Sequence, residues 1–251
     1  MARPQEIIQR IRKALGHSLD GPTAISESTL PNASPLVGIL PVIAPEELLP
    51  KFEAELTKVA GIAHRAASRQ GLEETLQTIL SHAKATSVVL SRNPLLAELD
   101  LEARLRAWGQ SVTVWQTPGG GDSPGAEATS LRAFADASFA AAVGITGVEY
   151  ALAETGSLVV TSLTEGAQLA SLAPPVHVAL YRRSQLVASL DEVLERLAVA
   201  SHGGLALPGR SVVFITGTSR TADIEQILIR GVHGPGEVHA ILVEQACLSC
   251  S

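Results

Sequence analysis

The sequence is poor in aromatic residues and has no cluster of positive charge. Aromatic side chains make up 3% of the 251 residues, whereas 46% of the residues are hydrophobic. A chain of this length and composition can bury a sizeable aliphatic core, as one large α/β domain or two small ones. The formal net charge is −6, and Lys and Arg form no run. Nucleic-acid binding is therefore disfavoured, because the phosphate backbone requires a basic face.

Long apolar runs are also lacking. No stretch reaches the roughly 18 consecutive apolar residues that a membrane-spanning helix needs. The first residues, MARPQEIIQRIRKALGH, are charged and amphipathic, without the apolar core or the cleavage site of a signal peptide. The sequence therefore predicts a cytoplasmic protein. A basic amphipathic helix can also bind a membrane surface or a partner helix, but we favour a helix docked on the protein itself.

Cysteine is scarce, since Cys247 and Cys250 in the motif CLSC are the only two. A CxxC pair can be redox-active or half of a zinc site, but no second pair is present to complete a four-thiolate cage. Four thiolates for an iron–sulfur cluster are likewise not available. The histidines show no HxH or HxxxH spacing, and the glycines form no GxGxxG loop. The sequence predicts no metal or cofactor in the chain itself.

Composition divides the chain into three parts. An Ile/Leu stripe at helical spacing predicts an amphipathic helix over 4–15. The stretch after it is rich in Pro and Ser and predicts an extended arm. Such an arm can pack on a second copy of the chain, so a homo-oligomer is one hypothesis. The predicted parts are an N-terminal helix and arm over 1–44, an α/β domain over 45–246 and a C-terminal tail over 247–251.

The α/β domain is predicted from alternating helices and strands. Helical patterns lie at about 46–60, 71–84 and 95–108, and the short strands GIAHRA, SVVLSR and SVTVW follow them. This alternation favours a mostly parallel sheet with helices on both faces. The segment TPGGGDSPGAEA predicts a flexible surface loop, and it lacks the signature of a phosphate-binding loop.

The second half of the domain begins with the buried strand AAAVGIT. Thr146 and Glu149 have the spacing of a capping box, which predicts a short helix over VEYALA. Gly156 would end that helix in the left-handed conformation before the strand SLVVTS. Later strands are predicted over VHVALYR, RSVVFITG and EVHAILVE, and later helices over 190–200 and ADIEQILIRG.

Three polar loops stand out from this aliphatic background: TGVEYALAETG, TGTSRTAD and GVHGPGEVH. Ligands of open α/β sheets bind where loops converge at the carboxyl ends of strands. The hydroxyl and acidic residues of TGTSRTAD have two interpretations. They either cap the start of a helix or, with the backbone N–H groups, bind an oxygen-rich ligand. The ligand-binding candidates of this loop are Gly217, Ser219, Arg220, Thr221 and Asp223.

Histidines supply a further set of candidates. His233 lies between glycines beside Gly234, and its imidazole is either an acid–base group or a hydrogen-bonded turn residue. His177 and His239 lie within predicted strands and are expected to be buried. Surface or helix-end positions are expected for His17, His64, His82 and His202.

The order of these loops resembles the lactate utilization protein C family, the stand-alone LUD domain. The matching stretches are VGITGVEYALAETGSLVV, SLAPPVHVAL and ITGTSRTADIEQILIRGVHGPGEVHAIL. The resemblance implies a three-layer α/β/α domain of the sugar-isomerase/CoA-transferase-like superfamily. It also implies an accessory role in a cytosolic iron–sulfur protein system that oxidises L-lactate to pyruvate, with the clusters on partner subunits.

The resemblance also points to carboxylates as candidate catalytic groups. In relatives of the wider fold an acidic residue after a strand lies in the catalytic cleft, and Glu149 occupies a similar place. Glu154 follows on the same loop, and two carboxylates near one cleft are suited to proton transfer. Either glutamate could instead serve a self-sufficient isomerase or an acyl- or CoA-transfer enzyme. The ligand-binding candidates beside them, for a small anion or a partner, are Thr146, Gly147, Thr155 and Gly156.

We expect the purified chain to be colourless, without iron or a tightly bound flavin. Two neighbouring cysteines cannot hold an iron–sulfur cluster, and the sequence shows no flavin-type phosphate loop. Absorption spectroscopy and iron analysis of protein from native cells test this expectation. A stoichiometric visible chromophore would contradict it.

Overall fold

The computed structural model describes residues 43–116, 124–202, 211–222, 228–231 and 233–248. Several sequence-based predictions therefore lie outside the described residues: the helix over 4–15, the position of His17, the arm as far as residue 42, the role of Asp223 and the position of Cys250. Among the described residues, no helix is both long and apolar enough to cross a membrane.

A six-stranded, all-parallel sheet forms the centre of the fold, which confirms the predicted fold class. Its spatial order is β1-β12-β7-β4-β2-β3. These strands are β1 (Ile62–Ala66), β2 (Ser87–Leu90), β3 (Ser111–Val114), β4 (Val143–Thr146), β7 (Val176–Tyr181) and β12 (Glu237–Val243). The helices around the sheet are α1 (Leu48–Lys58), α2 (Arg69–His82), α3 (Pro94–Glu98), α4 (Leu101–Ala107) and α5 (Pro124–Ala140).

One face of the sheet is covered by α2, α3 and α4. In α2 the buried residues recur at helical spacing, for example Leu72, Leu76 and Ile79, and this stripe packs on the sheet. Ser68 begins the helix, because its side chain accepts a hydrogen bond from the Gly71 N–H at 3.1 Å. Leucines of α3 and α4 complete the same apolar cluster.

The other face is covered by α1, α5 and a second, four-stranded sheet. The order of that sheet is β8-β5-β6-β9, and β5 and β6 form an antiparallel hairpin. Its strands are β5 (Tyr150–Leu152), β6 (Ser157–Thr161), β8 (Leu186–Val187) and β9 (Val212–Ile215). In β7, Leu180 points to the first face, whereas Tyr181 packs with α1 and this second sheet. The remaining α-helices are α6 (Ser162–Glu165) and α7 (Leu190–His202), and the remaining strands are the antiparallel pair β10 (Arg220–Ala222) and β11 (Leu228–Arg230). Short 3-10 helices lie at Gln168–Ser171, Arg183–Gln185 and Gln245–Cys247.

The helix predicted over VEYALA is wrong, because this segment is strand β5. Glu149 does not belong to a capping box: its backbone N–H donates to the Val159 carbonyl at 2.7 Å. Tyr150 pairs with Val159, and Leu152 pairs with Ser157. The apolar residues of this segment find a strand partner on one side in β6 and on the other in β8. These tertiary partners outweigh the local preference for a helix.

Three other sequence-based boundaries need correction. The helix predicted over ADIEQILIRG is wrong, because its described residues lie in β10 and β11. The helix predicted over 95–108 is two helices, separated where Asp100 adopts the left-handed conformation at φ 51°. The segment predicted as a glycine-rich loop already contains the start of α5 at Pro124, a residue that suits the first helical turn.

Gly156 has the predicted positive φ, at 66°, but it serves a hairpin turn. A Cβ built on Gly156 would lie 2.2 Å from the backbone nitrogen of Leu56, at the end of α1. Only glycine therefore allows the β5–β6 turn to lie directly against the backbone of α1.

We predict that Gly156→Ala lowers the free energy of unfolding by about 3 kcal/mol, from the positive φ and the backbone overlap together. Gly109→Ala is the matched control. Gly109 also has a positive φ, 83°, but a Cβ there meets nothing within 4 Å, so about 1 kcal/mol is expected. Urea unfolding of both variants measures the difference, and equal losses would contradict the role of the close approach.

Candidate functional site

The sheet has a topological switch point between the neighbouring strands β2 and β4. The chain leaves β2 toward α3 on the first face, whereas it leaves β4 toward β5 on the second face. Loops that diverge in this way open a crevice at the carboxyl ends of parallel strands, where ligands of such sheets bind. We name it the β2/β4 crevice, and its polar groups are the side chains of Ser91, Asn93 and Glu165 and the backbone N–H of Gly147.

Glu165 is the central residue of the β2/β4 crevice, and its side chain is completely buried. The Ser91 hydroxyl donates to Glu165 Oε2 at 2.5 Å, and the Gly147 N–H donates to the same oxygen at 3.0 Å. The Asn93 side-chain amide donates to Oε1. Asn93 is itself fixed, because its Oδ1 accepts a hydrogen bond from the Leu95 N–H at 2.9 Å. One carboxylate thus joins the loops that follow β2 and β4.

Burial raises the pKa of the Glu165 carboxyl, because the low-polarity surroundings disfavour its charged form. The hydrogen bonds from Ser91 and Asn93 act in the opposite direction and stabilise the carboxylate. A carboxyl group in this environment is a better proton acceptor than an exposed one. The crevice therefore holds a group suited to proton transfer.

A cavity of about 320 Å³ lies beside this carboxyl group. Ser91 and Asn93 belong to its lining, and so does Arg92, which carries a positive charge. The remaining wall is largely aliphatic and consists of Leu90, Leu96, Ala97, Leu101 and Val114, with Asp100 and Glu102 also contributing. The combination of an apolar wall and a few fixed polar groups is typical of small-molecule sites.

Three of the sequence-predicted residues lie at this carboxyl edge of the sheet. The Thr146 hydroxyl is 2.9 Å from His177 Nε2, and both residues are fully buried. Gly147 lies against Asn93, since a Cβ on Gly147 would be 2.2 Å from the Asn93 side chain. The Glu149 carboxylate is 3.4 Å from the Thr161 hydroxyl, which donates to it.

Other predicted residues lie at the opposite, amino edge of the sheet. The Ser219 N–H donates to the Pro235 carbonyl at 2.9 Å, and Gly234 is close to Ser219. Gly217 packs against Val59, between α1 and β1. Since residues 231–236 precede β12, the length of the strands separates these loops from the β2/β4 crevice, about 13 Å for a four-residue strand.

The amino edge also holds Thr155, Arg220 and His233. The Thr155 hydroxyl contacts Ser157 Oγ at 2.8 Å, and Ser157 Oγ contacts Thr216 Oγ1 at 2.7 Å. This chain of hydroxyls joins the β5–β6 turn to the TGTSR loop. Arg220 is exposed, with its Nε 3.5 Å from Thr218 Oγ1. Thr221 lies in β10, Asp223 lies outside the described residues, and His233 is exposed in the turn before β12.

The two predicted catalytic glutamates do not lie side by side. Glu149 precedes β5 at the carboxyl edge, whereas Glu154 follows β5 at the turn, where its N–H donates to the Ala188 carbonyl at 3.1 Å. The intervening strand separates their backbones by about 10 Å or more. The expectation of two carboxylates in one cleft is therefore corrected, because the segment between them is extended.

The residues that the sequence predicts for the site do not include Glu165, Ser91 or Asn93. A signal was present in SRNP, where polar residues follow the strand SVVL and Asn precedes a helix-starting proline. His64 was also misplaced as a surface or helix-end residue. It lies in β1, and its Nε2 is 3.0 Å from Nδ1 of the buried His239. His177 is buried as predicted.

The residues of this chain do not fit an iron–sulfur cluster. The sequence has two cysteines, and Cys247 is buried with its thiol donating to the Ala66 carbonyl. Within the described ranges, no group of three or more His, Cys, Asp or Glu side chains could hold a metal ion. Such a cluster would need thiolates that this chain does not supply.

We predict that stability falls as the pH is lowered from 7 to 5, with His177 as one cause. Burial, with a smaller effect of His239, lowers the pKa of His177 to about 3 from its ordinary 6.5. The unfolded chain therefore binds a proton in this range and the folded chain does not, so low pH favours unfolding. His177 alone should lower the free energy of unfolding by about 2 kcal/mol between pH 7 and 5.

Urea unfolding at both pH values measures this loss. His177→Asn should reduce the difference between pH 7 and 5 by about 2 kcal/mol, whatever its effect at pH 7. The control is His233→Asn, which changes an exposed imidazole. If the free energy of unfolding of His177→Asn depends on pH as that of the wild type does, His177 binds a proton equally well in the folded and unfolded chain, and the prediction is wrong.

Comparison with known proteins gives consistent results. A sequence model of the LUD domain matches residues 49–243. Lactate utilization protein C from Exiguobacterium sp. is 30% identical over 239 residues, covering 95% of each chain. Lactate utilization protein C from Bacillus subtilis is 30% identical over 175 residues, 69% of each chain. A crystal structure of a DUF162 family protein from Deinococcus radiodurans has a TM-score of 0.50 at 19% identity and covers 80% of this chain and 99% of its own. That structural likeness supports the fold.

Proposed function

The chain belongs to the LUD domain family, and on that premise we propose that it serves in lactate utilisation. The proposal is supported by relatives that carry the name lactate utilization protein C and match up to 95% of this chain. The matched region includes every strand of the central sheet.

Within that role, the chain is an accessory subunit of a system that oxidises L-lactate to pyruvate. Iron–sulfur clusters reside on partner subunits, because this chain has two cysteines where a cluster needs four thiolates. Its own contribution is a binding cleft for a small polar ligand or for part of a partner.

We assign the binding cleft to the β2/β4 crevice because the carboxyl group of Glu165 is buried there. Burying an ionisable group costs several kcal/mol unless the surrounding structure compensates it. Here donors from two loops, the side chains of Ser91 and Asn93 and the Gly147 N–H, converge on the carboxyl group beside a cavity. The β2/β4 crevice therefore combines a fixed proton-transfer group with space for a ligand.

Affinity purification of the tagged full-length chain from its native cells tests the assignment to lactate oxidation. Iron–sulfur proteins should co-purify, and the assembly should reduce a dye when L-lactate is added. Cells that lack the gene should grow poorly on L-lactate and normally on glucose. Normal growth of the deletion strain on L-lactate would overturn the proposal.

We predict that Glu165→Gln lowers lactate-dependent dye reduction by the assembly about tenfold or more. Glutamine keeps the volume of the side chain but cannot exchange a proton, and its amide opposes the Asn93 donor. The loss of one satisfied hydrogen bond should cost about 1–3 kcal/mol of stability, so activity is measured well below the unfolding temperature.

Two comparison variants locate the cleft. Glu195→Gln changes an exposed glutamate on α7 and should leave activity unchanged. Glu154→Gln tests the amino edge of the sheet. If Glu154→Gln abolishes dye reduction while Glu165→Gln does not, the functional cleft lies at the amino edge, and the assignment to the β2/β4 crevice is overturned.

A further inference from the structure

Ser91 and Glu165 have the mutual geometry of a nucleophile and its general base. The Ser91 hydroxyl donates to Glu165 Oε2 at 2.5 Å, so the proton of the hydroxyl already points to the carboxylate. A hydroxyl that reacts with a carbonyl carbon must lose this proton as the new bond forms. Because Ser91 is only 2% exposed, bulk water does not compete for that hydrogen bond.

The carboxylate is held in place as a base must be. Asn93 donates to Oε1, and Gly147 donates to Oε2, which leaves the carboxylate little freedom to rotate away from Ser91. Asn93 is anchored in turn by the Leu95 N–H. The three roles of a catalytic triad are therefore present: Ser91 as the nucleophile, Glu165 as the base and Asn93 as the residue that orients the base.

Ser91 also has access to space that a substrate could fill. It lines the cavity of about 320 Å³, which corresponds to the volume of about ten water molecules at ~30 Å³ each. Its lining is partly aliphatic, with contributions from Leu96, Leu101 and Val114. Arg92 also lines the cavity, and its positive charge favours an oxyanion that forms at a substrate carbonyl, whereas the carboxylates of Asp100 and Glu102 in the same lining disfavour it.

We propose that Ser91 is a nucleophile and Glu165 its general base in an acyl-transfer reaction on esters or thioesters with a short apolar acyl group. The proposal rests on the β2/β4 crevice of the proposed function but not on lactate utilisation. Neither the predicted carboxylates Glu149 and Glu154 nor the amino-edge loops take part.

The reaction proceeds in two balanced steps. Ser91 Oγ bonds to the carbonyl carbon while Glu165 takes the hydroxyl proton. The bond from that carbon to the alkoxide or thiolate then breaks, and the leaving group receives the proton from Glu165. In the second step, water adds to the acyl-serine, Glu165 takes the water proton, and the proton returns to Ser91 Oγ as the carboxylic acid leaves.

A fluorophosphonate probe tests the proposal on the full-length chain. Such a probe forms a phosphorus–oxygen bond to an activated serine and releases fluoride, so intact mass and peptide mapping identify the labelled residue. We expect one adduct per chain, on Ser91, and hydrolysis of p-nitrophenyl butyrate that the adduct abolishes. Wild-type protein without an adduct on Ser91 overturns the proposal by itself.

Variants then separate the base from the nucleophile. Glu165→Gln should slow labelling of Ser91 about a hundredfold, because the base is lost while the serine remains. Ser91→Ala should abolish labelling. The matched control is Ser138→Ala, since Ser138 is equally buried but donates to the Phe134 carbonyl at 2.8 Å. Circular dichroism verifies folding, and wild-type labelling that increases with pH gives a second test of the base without a substitution.

The outcomes distinguish this inference from the proposed function. A Ser91 adduct, together with normal growth of Ser91→Ala cells on L-lactate, would support the acyl-transfer chemistry and separate it from lactate utilisation. Lost growth on L-lactate without any adduct on Ser91 would overturn this inference and leave the proposed function standing. Labelling of Ser91 at an unchanged rate in Glu165→Gln would overturn the role of Glu165.

Discussion

The constraint on which much of the structure depends is the burial of one carboxyl group between two diverging loops. Glu165 is fully buried, so hydrogen bonds from the protein must replace those that its carboxyl group would make with water. The compensation determines local structure at several positions. Asn93 is an amide that also caps α3, and Gly147 has no side chain because Asn93 occupies that space. The ends of β2 and β4 are thereby fixed relative to α6.

The second sheet explains why polar residues of one sequence region lie at both edges of the central sheet. The chain leaves β4 at the carboxyl edge and crosses the second face as the β5–β6 hairpin, so its turn lies near the end of α1. Thr146, Gly147 and Glu149 therefore lie near the β2/β4 crevice, whereas Thr155 and Gly156 contact elements at the amino edge. The hydroxyls of Thr155, Ser157 and Thr216 join this turn to the TGTSR loop.

Two buried titratable groups of this fold are compensated in different ways. The neutral imidazole of His177 meets the Thr146 hydroxyl, and burial lowers its pKa. The carboxyl group of Glu165 meets hydrogen-bond partners at Ser91, Asn93, Thr164 and Gly147, and burial raises its pKa. Both shifts have the same origin, since a low-polarity interior disfavours either charge. Of the two, Glu165 lies beside a cavity whose lining includes its partners Ser91 and Asn93.

The sequence by itself determined the fold class, the six central strands, the helices α1, α2 and α7 and the family, but not the helix α5. Hydrophobic periodicity and turn residues are local signals, and for β2, β7 and α2 they agree with the packing. Only the tertiary structure decided that VEYALA is a strand, because it lies between two strands, β6 of its own hairpin and β8, which comes after β7 in the chain. It also decided that Ser91 meets Glu165, 74 residues away. A buried carboxyl group leaves no periodic pattern in the sequence, and its donors are brought to it only by the order of strands in the sheet.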